Sequence, residues 1–309
     1  MIPALRFNNP VADAVWGACV TELQALKPGN VGLHAPGHGM DVADFIASAR
    51  CTAEVLGAPG LTVGERIYRS ITATQAAVGC NTNLGIVLLC APLAHSALWT
   101  SPASLRQKLH AVLAGLDQTD AEQAFAAIRL ANPAGLGSST MHDVQQSPTT
   151  GLQHAMCAAA NRDRIAYQYA FDFDDIFAIG LPALAAYINR GWTAAWAAVG
   201  VYFTFLSGFA DTHIQRKLGV QIAEQVRMES DHWFRILRDS AQPEPLIEPL
   251  MAFDASLKQR GINPGTSADL TVATLLADCL QALENGDFNH LAFFTGKAGD
   301  LQTMDTRVG

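Results

Sequence analysis

Helix start signals recur along the whole chain and limit its fold more than any other feature. Asn9-Pro10 combines a capping residue with a first-turn proline, and Asp41 is placed to cap a second helix that ends at Gly57. Capping-box spacing occurs at Thr62 and Glu65, at Thr119 and Glu122 and, more weakly, at Thr266 and Asp269. Alternating apolar and polar residues, which would predict strands, form no convincing run. The sequence therefore predicts an all-α protein of about ten or more helices.

The composition predicts that most of these helices are buried in one domain. The 309 residues are 50% hydrophobic and only 16% charged, so many segments have no polar face. Two linkers, 132–148 and 242–249, are too short to establish a domain boundary. We expect one helical domain over residues 1–295 and a polar tail over 296–309, and we expect Pro182 to kink or divide its helix.

Charge and cysteine usage exclude several classes of partner. The net charge of -8 argues against a nucleic-acid surface. The six cysteines are scattered without a CxxC pair, as in reduced buried thiols, which predicts a cytoplasmic protein. Residues 191–210 are uncharged and as long as a membrane span, but the small polar residues among them favour a buried helix and no membrane. The sequence is compatible with a homodimer.

Five polar clusters interrupt the apolar background, at residues 27–45, 79–94, 161–173, 211–219 and 263–276. Each has a purely structural explanation. Asn81 and Asn83 would serve as helix caps, Asp269 would favour the first turn of its helix, and Arg162-Asp163-Arg164 would form a local ion pair. The repetition favours a site instead, because helix N-termini that converge on one cavity bind anions.

A metal site in the first cluster is a further alternative. His34, His38 and Asp41 have the spacing that would place them on one face of a helix. Pro36, Gly37 and Gly39 make a helix there improbable, which counts against a transition metal. Magnesium needs only one or two carboxylates beside the phosphates of a substrate, so the sequence favours Mg²⁺.

The clusters, in order, resemble the motifs of the triphosphoribosyl-dephospho-CoA synthase family. The matching positions are Lys27-Pro28-Gly29, Val31, Gly37-His38, Met40-Asp41, Phe45 and Ser48; Gly79 to Thr82; Gly135, Gly137, Asp143 and Val144; Arg162, Asp163, Ile165, Ala166, Gln168 and Tyr169; Asp211, Arg216, Lys217 and Gly219; and Asn263 to Leu270. The resemblance covers about residues 10–285 and implies an all-helical enzyme.

The resemblance implies transfer of the triphosphoribosyl group of ATP to the 2′-hydroxyl of 3′-dephospho-CoA, with release of adenine. Such a transfer needs cations for the triphosphate, a carboxylate near C1′ and a base for the hydroxyl. The hypothesis that follows gives phosphate binding to Lys27, Arg164, Arg216 and Lys217, catalysis or Mg²⁺ binding to Asp41, Asp211 and Asp269, and orientation of the nucleotide to His38, Asn81 and Asn263.

Two departures from the family pattern bear on the acceptor. Gly32 stands where the family has an aspartate, and Asn83-Leu84 stands where it has a basic or polar pair. One alternative is therefore a related phosphoribosyl transferase in the synthesis of a methanopterin-type cofactor, with phosphoribosyl pyrophosphate as donor. A second alternative is a helical protein that binds nucleotides without turnover.

Overall fold

The helix starts predicted at Asn9, Asp41 and Thr62 are all present in the computed structural model, which describes residues 5–33, 41–133, 135, 137 and 141–295. The Asn9 Oδ1 atom accepts a hydrogen bond of 2.8 Å from the N–H of Val11. Asp41 and Thr62 each form a reciprocal capping box with the residue three positions later. Side chains that satisfy free backbone N–H groups thus begin the first three helices.

The described residues form fifteen α-helices and no β-strand, which confirms an all-α single domain. A π-helical turn over Asp175–Gly180 precedes α9, and a 3₁₀ turn over Glu244–Leu246 precedes α13. The helices are α1 Pro10–Gln24, α2 Val42–Gly57, α3 Val63–Val78, α4 Leu84–Leu98, α5 Leu105–Ala114, α6 Gln118–Ala131, α7 Leu152–Cys157, α8 Arg164–Ala170, α9 Leu181–Ile188, α10 Ala194–Gly208, α11 Thr212–Leu218, α12 Val220–Asp239, α13 Ile247–Gln259, α14 Gly265–Glu284 and α15 Phe288–Thr295.

Two of the predicted capping boxes are wrong. α6 is capped by Asp117, whose capping-box partner is Asp120, and not by the pair at 119 and 122. The Oδ1 atom of Asp120 also accepts a 2.7 Å hydrogen bond from the N–H of Gly64 in α3, so a tertiary contact selects this start. α14 begins at Gly265, which places Asp269 in its second turn and leaves no capping box with Thr266. Pro182 lies in the first turn of α9, where the helical conformation continues without a break from the π-helical turn over Asp175–Gly180, so the expected division of this segment is not present.

The core is built around α14, which is buried along most of its length and packs against α1, α4 and α10. Two of its buried hydroxyls bond within the helix: Thr271 Oγ1 donates to the Ser267 carbonyl, and Thr274 Oγ1 to the Leu270 carbonyl, both at 2.8 Å. α4 and α10 are apolar on nearly every side, as helices surrounded by others are. The polar clusters therefore lie at the ends of buried helices.

The remaining helices cover this core. α3 packs on both α2 and α6, α12 covers α10, and α15 packs on α1 and α14. Among the described residues no single helix is long and apolar enough to cross a membrane; α10 and α11, which meet at a bend of 54°, reach that length only together. The predicted tail, 296–309, lies outside the described residues, so the boundary at 295 stays a prediction.

Candidate active site

A cavity of about 510 Å³ opens where the N-terminal ends of four helices meet. Gly85 of α4, Ile165 of α8, His213 of α11 and Gly265 of α14 all line it. The free backbone N–H groups at such ends favour negative charge. The convergence expected from the polar clusters is thus present in the fold.

The carboxylate of Asp269 lies in the cavity wall, directly against α4. A Cβ atom added at Gly85 would overlap the Asp269 Oδ2 atom, so only glycine permits this approach. Burial, followed by the charges of Glu22 and Asp211, raises the pKa of Asp269 well above its ordinary value, and Arg216 opposes that shift. The Asp269 carboxylate in the cavity wall therefore binds a proton more readily than an ordinary aspartate does.

Glu22 is a second carboxylate in the wall, and it is ion-paired with Lys27. Both side chains are buried, with residue exposures of 5% and 3%. Burial raises the pKa of Glu22 and lowers that of Lys27, and their mutual attraction opposes both shifts. Lys27 also donates to Asn30 Oδ1 at 2.6 Å and to the Val31 carbonyl at 2.9 Å. Lys27 itself does not line the cavity, so its ammonium group lies behind the wall.

Asn30 and Asn263 line the cavity in contact with each other. Asn30 Nδ2 donates to Asn263 Oδ1 at 2.8 Å and joins the loop after α1 to the loop before α14. Lys27, Asn30 and Asn263 thus form one chain of hydrogen bonds from the interior to the cavity.

Two arginines supply positive charge. Arg216 Nη1 donates to Asp163 Oδ2 at 3.1 Å, while Asp163 Oδ1 caps α8 by accepting from the N–H groups of Ile165 and Ala166. Arg162 is the other arginine in the lining. Four carboxylates share the same cavity, those of Glu22, Asp143, Asp163 and Asp269.

The residues before α4 tie that helix to α2. Asn81 lines the cavity and its Oδ1 accepts from the N–H of Leu84 at 3.1 Å, as a cap does. The same role expected of Asn83 is wrong, because Asn83 stands at the N-cap position of α4 but its side chain makes no capping hydrogen bond. Thr82 Oγ1 donates to Ser48 Oγ at 2.6 Å, and Asn83 Nδ2 donates to Thr52 Oγ1 at 2.8 Å. These bonds fix the N-terminus of α4 at the cavity.

Comparison with known proteins assigns this architecture to a family. The family model CitG, ATP:dephospho-CoA triphosphoribosyl transferase, matches residues 8–288. The chain belongs to this family. The reaction in the family name is the one implied by the sequence motifs, so the chain is a transferase of that kind and the family uses ATP as substrate.

A crystal structure from Archaeoglobus fulgidus, a proposed triphosphoribosyl-dephospho-CoA synthase, is similar to this CitG-family chain. The TM-score is 0.58 at 22% identity, and the match covers 76% of this chain and 96% of that one. At this identity the likeness concerns the fold. No curated protein matches the chain.

The CitG-family motifs meet in space, but only some of their predicted site residues reach the cavity. The bond between Thr82 and Ser48 joins the first motif to the second. Asp211 joins the two last motifs, since its Oδ2 accepts from Ser267 N and Ser267 Oγ at 2.8 Å each. Of the predicted site residues, Asn81, Arg216, Asn263 and Asp269 line the cavity.

Asp211 is fully buried beneath the cavity. Its Oδ1 caps α11 by accepting from the N–H groups of His213 and Ile214, so four hydrogen bonds reach this carboxylate. Burial raises its pKa, and the bonds from Ser267 and the α11 N–H groups oppose that shift. In this position Asp211 holds α11 to α14.

The other predicted site residues lie apart from the cavity lining. Arg164 forms two 2.7 Å hydrogen bonds to Asp175 and stacks on Tyr167. Asp41 is an exposed cap of α2, and Lys217 is exposed on α11. His38 lies outside the described residues, as do its motif neighbours Gly37 and Met40 and the nearby His34.

The sequence motifs did not single out Glu22, Asn30 and Arg162 as site residues. Glu22 is an acidic residue inside the mainly apolar helix α1, and a buried charge there requires a partner. An acidic residue within an apolar helix is therefore the sequence signal that could have identified Glu22. Of the two departures from the family pattern, Asn83-Leu84 lines the cavity and Gly32 does not.

Proposed function

We propose that this cavity is where the triphosphoribosyl group of ATP moves to the 2′-hydroxyl of 3′-dephospho-CoA, with release of adenine. The observation that supports this location is the Asp269 carboxylate in the wall of a cavity lined by helix N-termini, in a chain of the CitG family. The C1′–N9 bond of ATP breaks and the O2′–C1′ bond forms. The hydroxyl proton is taken up by Asp269, and adenine leaves with a proton in its turn.

Asp269 suits the role of general base. A base is most effective when its pKa lies near the working pH, and burial moves the pKa of Asp269 in that direction. A carboxylate close to C1′ also stabilises the positive charge that develops on the ribosyl ring as adenine departs.

The triphosphate would lie against the N-termini of α4 and α14 and against Arg162 and Arg216. Backbone N–H groups and guanidinium groups are the usual partners of phosphate oxygens. In this proposal Lys27, Arg164 and Lys217 do not touch phosphate. Lys27 is buried behind the wall, Arg164 is paired with Asp175, and Lys217 is exposed on α11 outside the cavity lining.

Magnesium would complete the charge balance. Glu22 is paired with Lys27 and Asp163 with Arg216, so much of the positive charge around the cavity is already balanced by protein carboxylates before a triphosphate binds. Among the described residues no three His, Cys, Asp or Glu side chains group as metal ligands. Magnesium does not require such a group, since one or two of the cavity carboxylates and the phosphates supply its oxygen ligands. When bound, the ion neutralises charge on the triphosphate. The magnesium roles of Asp41 and Asp211 stay predictions, as do the cytoplasmic location and the homodimer.

The test incubates the protein with Mg²⁺, ATP and dephospho-CoA and measures free adenine by chromatography. Asp269→Asn should lower the rate by roughly 10²- to 10⁴-fold, as loss of a general base does, with an unchanged circular dichroism spectrum. Asp239→Asn, a matched change at an exposed aspartate that pairs with its neighbour Arg238, should leave the rate unchanged. Wild-type rates for Asp269→Asn would refute the assignment.

A second candidate differs in donor and acceptor, and it is favoured by the position of Asn83-Leu84 in the cavity lining. In that case the protein would release pyrophosphate from phosphoribosyl pyrophosphate when given a ribitol-bearing acceptor, and no adenine from ATP. Nucleotide binding with silence in both assays would indicate a protein that binds without turnover.

A further inference from the structure

Lys27 is the origin of a directional chain of hydrogen bonds. Its ammonium group has three donors and no acceptor, and it has three partners: the Glu22 carboxylate, Asn30 Oδ1 and the Val31 carbonyl. The residue is only 3% exposed. Its protons are therefore directed at protein atoms and not at the cavity.

Because this series of hydrogen bonds begins at a lysine, which can only donate, it fixes the orientation of the side-chain amides of Asn30 and Asn263. The shape of an asparagine amide alone does not distinguish oxygen from nitrogen, but a partner that can only donate does. Asn30 must turn its oxygen to Lys27, so its Nδ2 donates to Asn263. Asn263 in turn must present Oδ1 to Asn30, which leaves its Nδ2 for a ligand in the cavity that it lines.

We propose that Lys27 is a positioning residue that, through Asn30, holds the amide of Asn263 so that Asn263 Nδ2 donates to an oxygen of the bound nucleotide. The proposal rests on nucleotide binding at the site proposed above, and it makes Asn263 the specificity contact and Asn30 the link. Glu22 is the counter-ion that allows an ammonium group to stay charged in the interior.

The first test measures the dissociation constant of ATP by calorimetry for Asn30→Ala, Asn263→Ala and the double variant. Each single change should weaken binding about tenfold, the effect of one lost hydrogen bond. The double variant should be no weaker than Asn263→Ala, because Asn30 acts only through Asn263. Multiplied losses of about a hundredfold in the double variant would overturn the proposal. Asn189→Ala, at an exposed position that ends α9, is the control and should bind as wild type does.

The second test addresses Lys27. Lys27→Met alone leaves Glu22 buried without its counter-ion, so the variant is made together with Glu22→Gln. The dissociation constant of ATP is measured for this double variant with and without Asn263→Ala. In the double variant, Asn263→Ala should weaken ATP binding little further, because the Asn263 amide has already lost its orientation. A full tenfold loss there would show that Lys27 does not set Asn263.

These outcomes separate the two proposals. If the effects of the Asn30 and Asn263 variants on ATP affinity are not additive but no adenine is released, the transfer reaction is refuted and the positioning role of Lys27 stands. If adenine is released but the effects of the variants are additive, only the positioning role is refuted. A wild-type protein that does not bind ATP would overturn both.

Discussion

Gly85 is the second residue of α4, at the point where the Asp269 carboxylate comes closest to that helix. In a helix interior glycine costs stability relative to alanine, about 1 kcal/mol. Here the missing side chain makes room for the carboxylate, and Ile165 closes the same space, with its Cδ1 atom 2.8 Å from where a Cβ would lie. Gly85 thus lowers the stability of the helix slightly, and in return it allows the Asp269 carboxylate to lie against α4.

Gly85→Ala should therefore lower adenine release about a hundredfold, the effect of misplacing a reacting group by about 1 Å. The helical content should not fall, because alanine favours the helix. Gly208→Ala, at a helical glycine with no atom within 4 Å of the added Cβ, provides the comparison and should keep full activity. Equal rates for the two variants would contradict the close approach.

The sequence identified those residues of the cavity wall that one local motif places together, and it failed where the position of a side chain depends on how the chain turns. Asp269 and Asn263 belong to one motif at the start of α14, so one helix start places both in the wall. Lys27 was expected to bind phosphate, and the structure gives its donors to Glu22, Asn30 and Val31. That pairing depends on how the chain turns after α1, which residue type and spacing do not determine. Whether the assigned residues act in catalysis stays a prediction.

At the scale of elements, local signals located helix starts well until a tertiary contact competed. The starts at Asn9, Asp41 and Thr62 rely on their own side chains. Ser101-Pro102 also matches the sequence pattern of a helix start, but α5 begins at Leu105, after a capping box between Ser104 and Gln107. The N–H of Leu105 also donates to Glu284 of α14 at 2.9 Å, so a local cap and a long-range acceptor both favour that boundary. Helix number and class could be predicted from the sequence, whereas boundaries set by distant partners could not.

α15 is held to the core by an ion pair that responds to pH. His290 pairs with Asp278 of α14, and this hydrogen bond raises the pKa of His290 while burial opposes the shift. A raised histidine pKa stabilises the fold fully below the unfolded value of 6.5, and the contribution disappears as pH rises through the folded value.

Asp278→Asn should thus lower the free energy of unfolding at pH 6 by about 1 kcal/mol or less, since both side chains remain partly exposed. The difference between wild type and variant should shrink as the pH increases above 6.5 and through the raised pKa. Urea titrations at pH 6 and pH 9 measure it. A constant difference across that range would show that the charged histidine is not the cause.

At the scale of the whole molecule, the cavity is assembled from parts that are distant in sequence. Its wall takes residues from eight helices, and no one of them contains a complete site; they are α1, α2, α4, α6, α7, α8, α11 and α14. The motifs and their order in the sequence were enough to point to the CitG family. Which motif residues face inward depends on how these eight helices pack, and that packing is not encoded in any one motif.

The loop between α1 and the cavity is anchored on its far side as well. Tyr202 Oη donates to the Pro28 carbonyl at 2.7 Å, and the N–H of Gly29 donates to Asp254 Oδ1 at 2.8 Å. Gly29 has a φ of +84°, and a Cβ there would lie 2.8 Å from Pro264 Cδ. With such ties, the Gly29 amide should exchange its hydrogen with deuterium only when the whole molecule unfolds, as slowly as amides in the middle of α14. Fast exchange at Gly29 would mean that the loop opens by itself. Slow exchange would mean that the loop, which carries Asn30 and Val31 into the cavity lining, opens only when the whole protein unfolds.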